Sequence, residues 1–218
     1  MTHAHGSEFP TTQSPSEFWE QRYAGDTSVW SGRVNATLAD VLTPRAITPG
    51  RALDLGCGEG GDAIWLARQG WQVTAVDISP TAVARGAARA AETGLDGAIT
   101  WIAHDLTTWT SEATFDLVTA SFFQAPVELA RIEILRRTAG WIAPGGHLVV
   151  ITHAAAPPWA SPEHIGSHRF LTPAEELAEL ALADGWEVIL AEVRRREATG
   201  PDGGPAQLDD GVLLLRRR

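Results

Sequence analysis

The chain has 218 residues, 44% of them hydrophobic and 20% charged, a globular balance that excludes wholesale disorder. At this length one domain is the prior, and a core can be buried without disulfide or metal staples. The 17 basic residues are outnumbered by 27 acidic ones, a net charge of -10, which excludes a general attraction for nucleic acid or anionic membranes.

Cys57 is the single cysteine, so neither an intramolecular disulfide nor a cysteine-based zinc site is expected. The opening residues lack an apolar secretory core, and no segment approaches the ~20 apolar residues that span a bilayer. A soluble, cytoplasmic chain is the expectation, acting as a monomer or homodimer. Residues 1–15 read as a flexible arm and 16–218 as a single domain. Within it, 16–49 form a helical N-terminal lid, 50–152 a cofactor-binding core, and 153–218 a substrate-side loop, helix and hairpin.

In chain order, Ser16 to Ala24 reads as a short helix with Ser16 as N-cap, and Ala36 to Leu42 as a second. Arg51 to Leu55 reads as a buried strand, followed by a glycine-rich turn and a helix from Gly61 to Gln69. Gln72 to Val76 is the next strand, and Ser79-Pro80 opens an alanine-rich helix to Thr93. Ile99 to Ala103 and Phe115 to Ser121 are further strands. A helix spans Val127 to Gly140, and Pro144-Gly145-Gly146 turns into the strand His147 to Thr152. Thr172-Pro173 starts a helix ending near Gly185. Strands Trp186 to Arg194 and Val212 to Arg216 flank a loop at Pro201 to Pro205, the pattern of an antiparallel hairpin. Alternating strands and helices predict an open α/β sheet covered on both faces, with ligands at the carboxyl ends of its strands.

The strongest chemical signal is Leu53-Asp54-Leu55-Gly56-Cys57-Gly58-Glu59-Gly60-Gly61-Asp62. Glycines at a strand exit let the chain turn sharply and a ligand approach closely. The spacing of Gly56, Gly58 and Gly61, with Asp77 some twenty residues on, also fits a dinucleotide pattern. Asp54 separates the readings, because a carboxylate beside a pyrophosphate is repelled whereas one beside an ammonium group is attracted. The charge logic points to S-adenosylmethionine. Asp77 suits a ribose hydroxyl pair, and Asp105 after the third strand suits an adenine amino group.

From Gly50 to Thr152 the chain resembles the class I S-adenosylmethionine-dependent methyltransferases. It does so through DLGCGEG at 54–60, VDIS at 76–79, HDL at 104–106, FDLVTAS at 115–121 and APGG at 143–146. The resemblance implies a Rossmann-like, doubly wound, seven-stranded and mostly parallel sheet with an antiparallel C-terminal strand and helices on both faces. Residues 19–32, WEQRYAGDTSVWSG, resemble the lead-in of the thiopurine, halide/thiol and tellurite-resistance methyltransferases, which implies Trp30 near the cofactor. Carried over by position, Asp54 with Gly56, Gly58 and Gly60 would hold the methionine end, and Asp77 the ribose. Ile78 would lie on the adenine face, Asp105 and Leu106 on its edge, and Ser121 in the pocket wall. Arg33, near Trp30, is the candidate partner for the methionine carboxylate. Ser121 to Pro126, SFFQAP, lacks the Asn/Asp-Pro-Pro-aromatic motif of amino methyltransferases acting on nucleic acid bases, and no metal set of the catechol type is evident.

Other residues carry two readings each. Cys57 is a small residue in a tight turn or a functional thiol. His153, just past a strand end, is a general base or a polar wall residue, and His104 is a neighbour of the adenine site. His164 and His168 lie in a loop that could meet substrate, and His3 and His5 in the arm. Of the nine tryptophans, Trp65, Trp71, Trp101, Trp141 and Trp186 read as core. Trp19, Trp30 and Trp159 read as an aromatic wall facing the sulfonium, with Phe122 and Phe123 as further substrate-side candidates. The expected function is methyl transfer to a small molecule without a metal, the methyl acceptor being a thiol, halide or chalcogen nucleophile. A nicotinamide-dependent oxidoreductase and a non-catalytic S-adenosylmethionine-binding protein are the alternatives.

Overall fold

A computed structural model describes residues 13–25, 27–125, 129–160 and 169–218. Strands β1 (Arg51–Leu55), β2 (Gln72–Asp77), β3 (Ile99–Ala103), β4 (Phe115–Ser121) and β5 (Ile142–His153) pair in parallel. Strands β6 (Trp186–Thr199) and β7 (Pro205–Arg217) form a hairpin, and β7 pairs antiparallel with β5. The order across the seven-stranded sheet is β3-β2-β1-β4-β5-β7-β6. This is the doubly wound, Rossmann-like sheet that the alternation predicts, with both C-terminal strands antiparallel to β5 or to each other.

The central strands are apolar on both faces because helices cover both. Along β5, Val149 and Ile151 enter one core cluster while Leu148 and Val150 enter the other. In β7, Val212 and Leu214 alternate with Leu213 and Leu215 in the same way. The first cluster also holds Leu38 and Val41 of α2 (Ala36–Leu42) and Ile64 and Leu66 of α3 (Gly61–Arg68). The second holds Ile134 and Leu135 of α5 (Arg131–Ala139) and Leu180 of α6 (Pro173–Leu180). Helices α1 (Pro15–Tyr23) and α4 (Pro80–Glu92) complete the set among the described residues, and none of the six is long and apolar enough to cross a membrane.

Local chemistry moved several boundaries from their expected places. Helix α1 is capped by Ser14, not Ser16, because Glu17 three residues on completes a capping box with Ser14. The helix expected from Val127 begins at Arg131, and residues 126–128 lie outside the described ones. Helix α6 stops at Leu180 instead of near Gly185, where Ala181 turns left-handed at φ 42. Strand β5 starts at Ile142 and carries Pro144-Gly145-Gly146 as a shift in its register with β4, not as a turn before the strand. The hairpin strands reach Thr199 and Pro205, well past the expected ends. His3, His5, His164 and His168 all lie outside the described residues.

Strand β1 pairs with β2 on one side and β4 on the other, so the strand order reverses between β1 and β4. In open α/β sheets the ligand crevice forms at such a point, beyond the carboxyl ends of the strands. The glycine turn after β1 and Ser121-Phe122-Phe123 after β4 flank it.

Candidate active site

Leu53 and Leu55 of β1 point into the core, so pleating turns Asp54 to the opposite face. It is 2% exposed. The Thr119 hydroxyl on β4 donates to its Oδ1 at 2.9 Å, and its Oδ2 has no hydrogen-bond partner. Burial pushes the Asp54 carboxyl well above its ordinary value. The Asp62 charge acts in the same direction, against Thr119, and Asp77 adds to it. Burial also raises the carboxyls of Asp62 and Asp77. Asp62, in the first turn of α3, accepts the Asn35 N–H at 2.6 Å and faces the Ser121 hydroxyl. Among the described residues no arginine, lysine or histidine forms an ion pair with any of the three.

The glycine turn directs its own donors inward. Gly56 and Cys57 donate to the Val76 carbonyl at 2.9 and 3.1 Å, and Gly60 to the Cys57 carbonyl at 2.9 Å. Gly58 donates to Asp77 Oδ2 at 2.8 Å, while Ser79 donates to Asp77 Oδ1 at 2.9 Å. Asp77 thus ties the turn to the end of β2, and its remaining lone pairs stay available for hydroxyl donors. A pyrophosphate needs free N–H groups at this place. These four are taken and three acidic side chains surround them, an arrangement that disfavours a pyrophosphate at the turn. Burial together with Asp77 and Asp54 also raises the Cys57 thiol well above its usual value, which favours the small-residue reading over a nucleophile.

Two glycines are dictated by neighbours. At Gly58, φ 51, a Cβ would stand 3.0 Å from the Tyr23 hydroxyl and 3.4 Å from Trp30 Nε1. At Gly60, φ 78, it would run into the Trp101 ring, which also lies against Gly86 of α4. Trp101, read as core, is the floor of the turn.

The lead-in closes over this turn. Trp30 Nε1 donates to the Tyr23 hydroxyl at 2.8 Å, and the Trp30 N–H donates to Glu59 at 3.1 Å. Glu59, 2% exposed, also pairs with Arg85 at 3.0 Å. Arg89 donates to the carbonyls of Gly32 and Glu59, at 2.6 and 3.2 Å. From α1, Glu20 accepts the Ser79 hydroxyl at 2.6 Å and the Thr81 hydroxyl, clamping α1 to the start of α4. The Trp30 ring itself is 48% exposed beneath the Arg22 guanidinium. The Arg33 side chain is exposed, and it is the Arg33 carbonyl that packs on Gly61.

On the far side of β2, Ile78 is half-buried and Asp105 exposed, its Oδ1 accepting the Thr107 N–H at 2.8 Å. Leu106 points into the second core cluster, and His104 Nδ1 lies 3.0 Å from the Asp105 carbonyl oxygen. After β4, Phe123 packs on Gly56 and Phe122 stacks on His153 with centroids 4.2 Å apart. Trp19 meets Phe18 edge-on and lies 6.2 Å from Tyr23. Trp159 departs from the expected wall: 43% exposed, it sits against Gly200 at the hairpin tip instead of beside Trp19 and Trp30. The sequence reading missed Tyr23, Glu59 and Asp62 as site residues, although all three lie inside the quoted motifs.

The sheet order and the acidic, glycine-turned crevice define a doubly wound α/β protein whose strand-end crevice suits a cationic ligand. The sequence matches the family described as Methyltransferase domain over residues 52–146. It is 34% identical over 163 residues to 2-heptyl-1-hydroxyquinolin-4(1H)-one methyltransferase of Mycobacteroides abscessus, spanning 71% of this chain and 68% of the relative. It is 26% identical over 199 residues to a probable thiol methyltransferase 2 of Arabidopsis thaliana, spanning 90% and 85%. The likeness to ribosomal RNA small subunit methyltransferase C of Alcanivorax borkumensis, 49% over 51 residues, spans only 16% of that protein. A structure solved for the conversion of a disulfide bond into a thioacetal group during echinomycin biosynthesis superposes with a TM-score of 0.68. It shares 23% identity and is matched over 93% of this chain and 92% of its own. The chain belongs to the class I S-adenosylmethionine-dependent methyltransferases.

The residues present fit that family's cofactor. A buried carboxylate with an unpartnered oxygen, reinforced by two more carboxylates and lacking a protein cation, suits the ligand's ammonium group.

Proposed function

We propose that the protein transfers the methyl group of S-adenosylmethionine to a small-molecule nucleophile, with a thiol or other chalcogen as the favoured methyl acceptor. The observation that carries the reading is the Asp54 carboxyl group, buried without a cationic partner beside Asp62 and Asp77 at the β1–β4 crevice. In this reading Asp54 holds the ammonium group with the Gly56–Gly60 turn, and Asp77 the ribose. Ile78 covers the adenine face, Asp105 and the Leu106 backbone serve its edge, and Ser121 lines the pocket. Residues 16–49 act as the lid, with Tyr23 and Trp30 over Gly58 and Arg33 near the ligand carboxylate. When bound, the cofactor supplies an electrophilic methyl on a sulfonium leaving group. What the chain contributes is alignment and exclusion of water. The sulfur preference is supported by the Arabidopsis relative and by the lead-in Trp19 to Gly32.

Calorimetry tests the reading directly. S-adenosylmethionine is expected to bind and the nicotinamide dinucleotides not to, and Asp77→Ala to weaken S-adenosylmethionine more than tenfold. Equal affinity in that variant removes the ribose assignment, and dinucleotide binding removes the whole reading. A mass-spectrometric screen of thiols, chalcogen oxyanions, halides, phenols and amines then identifies the methylated product.

A further inference from the structure

We propose that β6 is a self-docking edge. Two copies of this chain pair their β6 strands antiparallel about a two-fold axis at Val193, so that the sheet runs unbroken from one copy into the other. The inference goes beyond the methyl-transfer reading and stands independently of it.

Strand β6 is 14 residues long and ends the sheet order, hydrogen-bonded to β7 on one side and to no described strand on the other. Its outer edge therefore presents a row of unpaired N–H and C=O groups, which a second strand can satisfy. Proteins commonly blunt such an edge with proline or a short strand, and β6 has neither. It also carries two of the four exposed large apolar side chains among the described residues, Val188 at 48% and Val193 at 49%. The register with β7 sets Val188 opposite Leu215, Ala191 opposite Leu213 and Val193 opposite Gly211. All three thus stand on the face of the sheet that holds the second core cluster, beyond the point where that cluster is covered.

The charges of the strand choose the partner. Arg195 is bound to Asp209 of β7 at 2.8 and 3.2 Å, and Arg196 to Asp210 of β7 at 2.7 Å. Arg194 instead pairs with Glu192 of its own strand at 2.7 Å, both partly exposed. In a two-fold antiparallel pair, the residue on the axis meets itself and like charges directly opposite repel. An axis at residue 192, 194, 195, 196 or 197 sets Glu192, Arg194, Arg195, Arg196 or Glu197 against its own copy. An axis at Ala191 meets the bulge between Val188 and Leu190 after one residue on each side. An axis at Val193 avoids both faults. Valine then packs on valine, Glu192 of each copy stands opposite Arg194 of the other, and pairing extends over Leu190 to Arg196 without crossing the bulge. Ala191 and Leu190 face Arg195 and Arg196 of the second copy, whose charges stay on Asp209 and Asp210 while their aliphatic stems cover the small apolar residues. Each copy carries a net charge of -10 and repels the other at a distance, so association depends on this local match.

Sedimentation equilibrium of the full chain tests the edge. The parent is expected to show a monomer–dimer equilibrium at micromolar concentration. Val193→Lys, which sets two ammonium groups together on the axis, should leave only monomer. Glu192→Arg, which sets an arginine opposite Arg194 in both symmetry-related pairs, should weaken the dimer by about tenfold or more. Glu133→Arg makes the same charge change at an exposed position of α5 and should leave the dimer within about twofold. Amide hydrogen exchange of the parent supplies a readout that needs no variant: outward N–H groups between Leu190 and Arg196 should exchange more slowly as concentration rises. A parent that stays monomeric at every concentration overturns the proposal and leaves the edge to a strand of another protein. A dimer that Val193→Lys leaves intact, or whose β6 amides exchange at the same rate when concentrated and dilute, pairs through another surface and overturns it equally.

Discussion

Asp54 is costly to the protein without its ligand. Its carboxyl is pushed well up by burial and by Asp62 and Asp77, so the folded chain keeps its proton to higher pH than the unfolded chain. The native state then binds more protons than the unfolded one, and stability falls as pH rises from the ordinary carboxylate value through the raised one. Asp54→Asn removes this loss. Scanning calorimetry of the ligand-free protein at pH 8 should show a melting temperature higher by about 2–4 °C, on the order of 1 kcal/mol at this size. At pH 4 the gain should vanish, and the rise that S-adenosylmethionine gives the parent should be largely absent in the variant. Asp54 and Asp77 were legible because each ends a strand beside a turn, so that sequence position alone fixes where they stand. The place of Asp210 was not: it stands opposite His153 across β5 and β7 and accepts the hydroxyl of Thr37, 173 positions away in the chain.

At the scale of elements, Glu20 does two tasks. Its carboxylate takes the hydroxyls of Ser79 and Thr81 at the first turn of α4, and these bonds hold it below its ordinary value. It thereby seats α1, whose Tyr23 covers Gly58. Glu20→Ala should cost roughly 1 kcal/mol of stability, the scale of a lost cap. It should also speed amide hydrogen exchange across Pro15–Tyr23 and weaken cofactor binding, with no change in exchange at β4 or β5. The strands and helices of the core were legible because alternation, caps and glycines agree there, as at Ser79-Pro80. The N-terminal cap was misplaced because Ser14 and Ser16 both qualify alone, and only Glu17 separates them. The Pro-Gly-Gly of β5 reads locally as a turn, whereas pairing with β4 on both sides of it, Ile142 with Phe115 and His147 with Leu117, carries the strand across it.

For the molecule as a whole, pairing of β5 with β7 ends at His153 and Asp210, while β6 and β7 stay paired out to Thr199 and Pro205. The hairpin therefore continues as a two-stranded arm beyond the carboxyl edge, with Arg196 near its base and Trp159 against its tip. Replacing 198–206 by a two-residue turn should leave the fold and cofactor affinity intact and raise KM for the methyl acceptor several-fold, measured by steady-state kinetics. The same topology dictates the order of assembly. Strand β7 is synthesised after β6 yet lies between it and β5, and its run Val212–Leu215 is buried on both faces. Until β7 emerges from the ribosome, β5 presents a bare hydrogen-bonding edge flanked by valine and isoleucine, and β6 has no neighbour at all. A nascent chain stalled at that point is a half-finished sheet looking for a strand, and holdase chaperones should engage it there more strongly than at any earlier length.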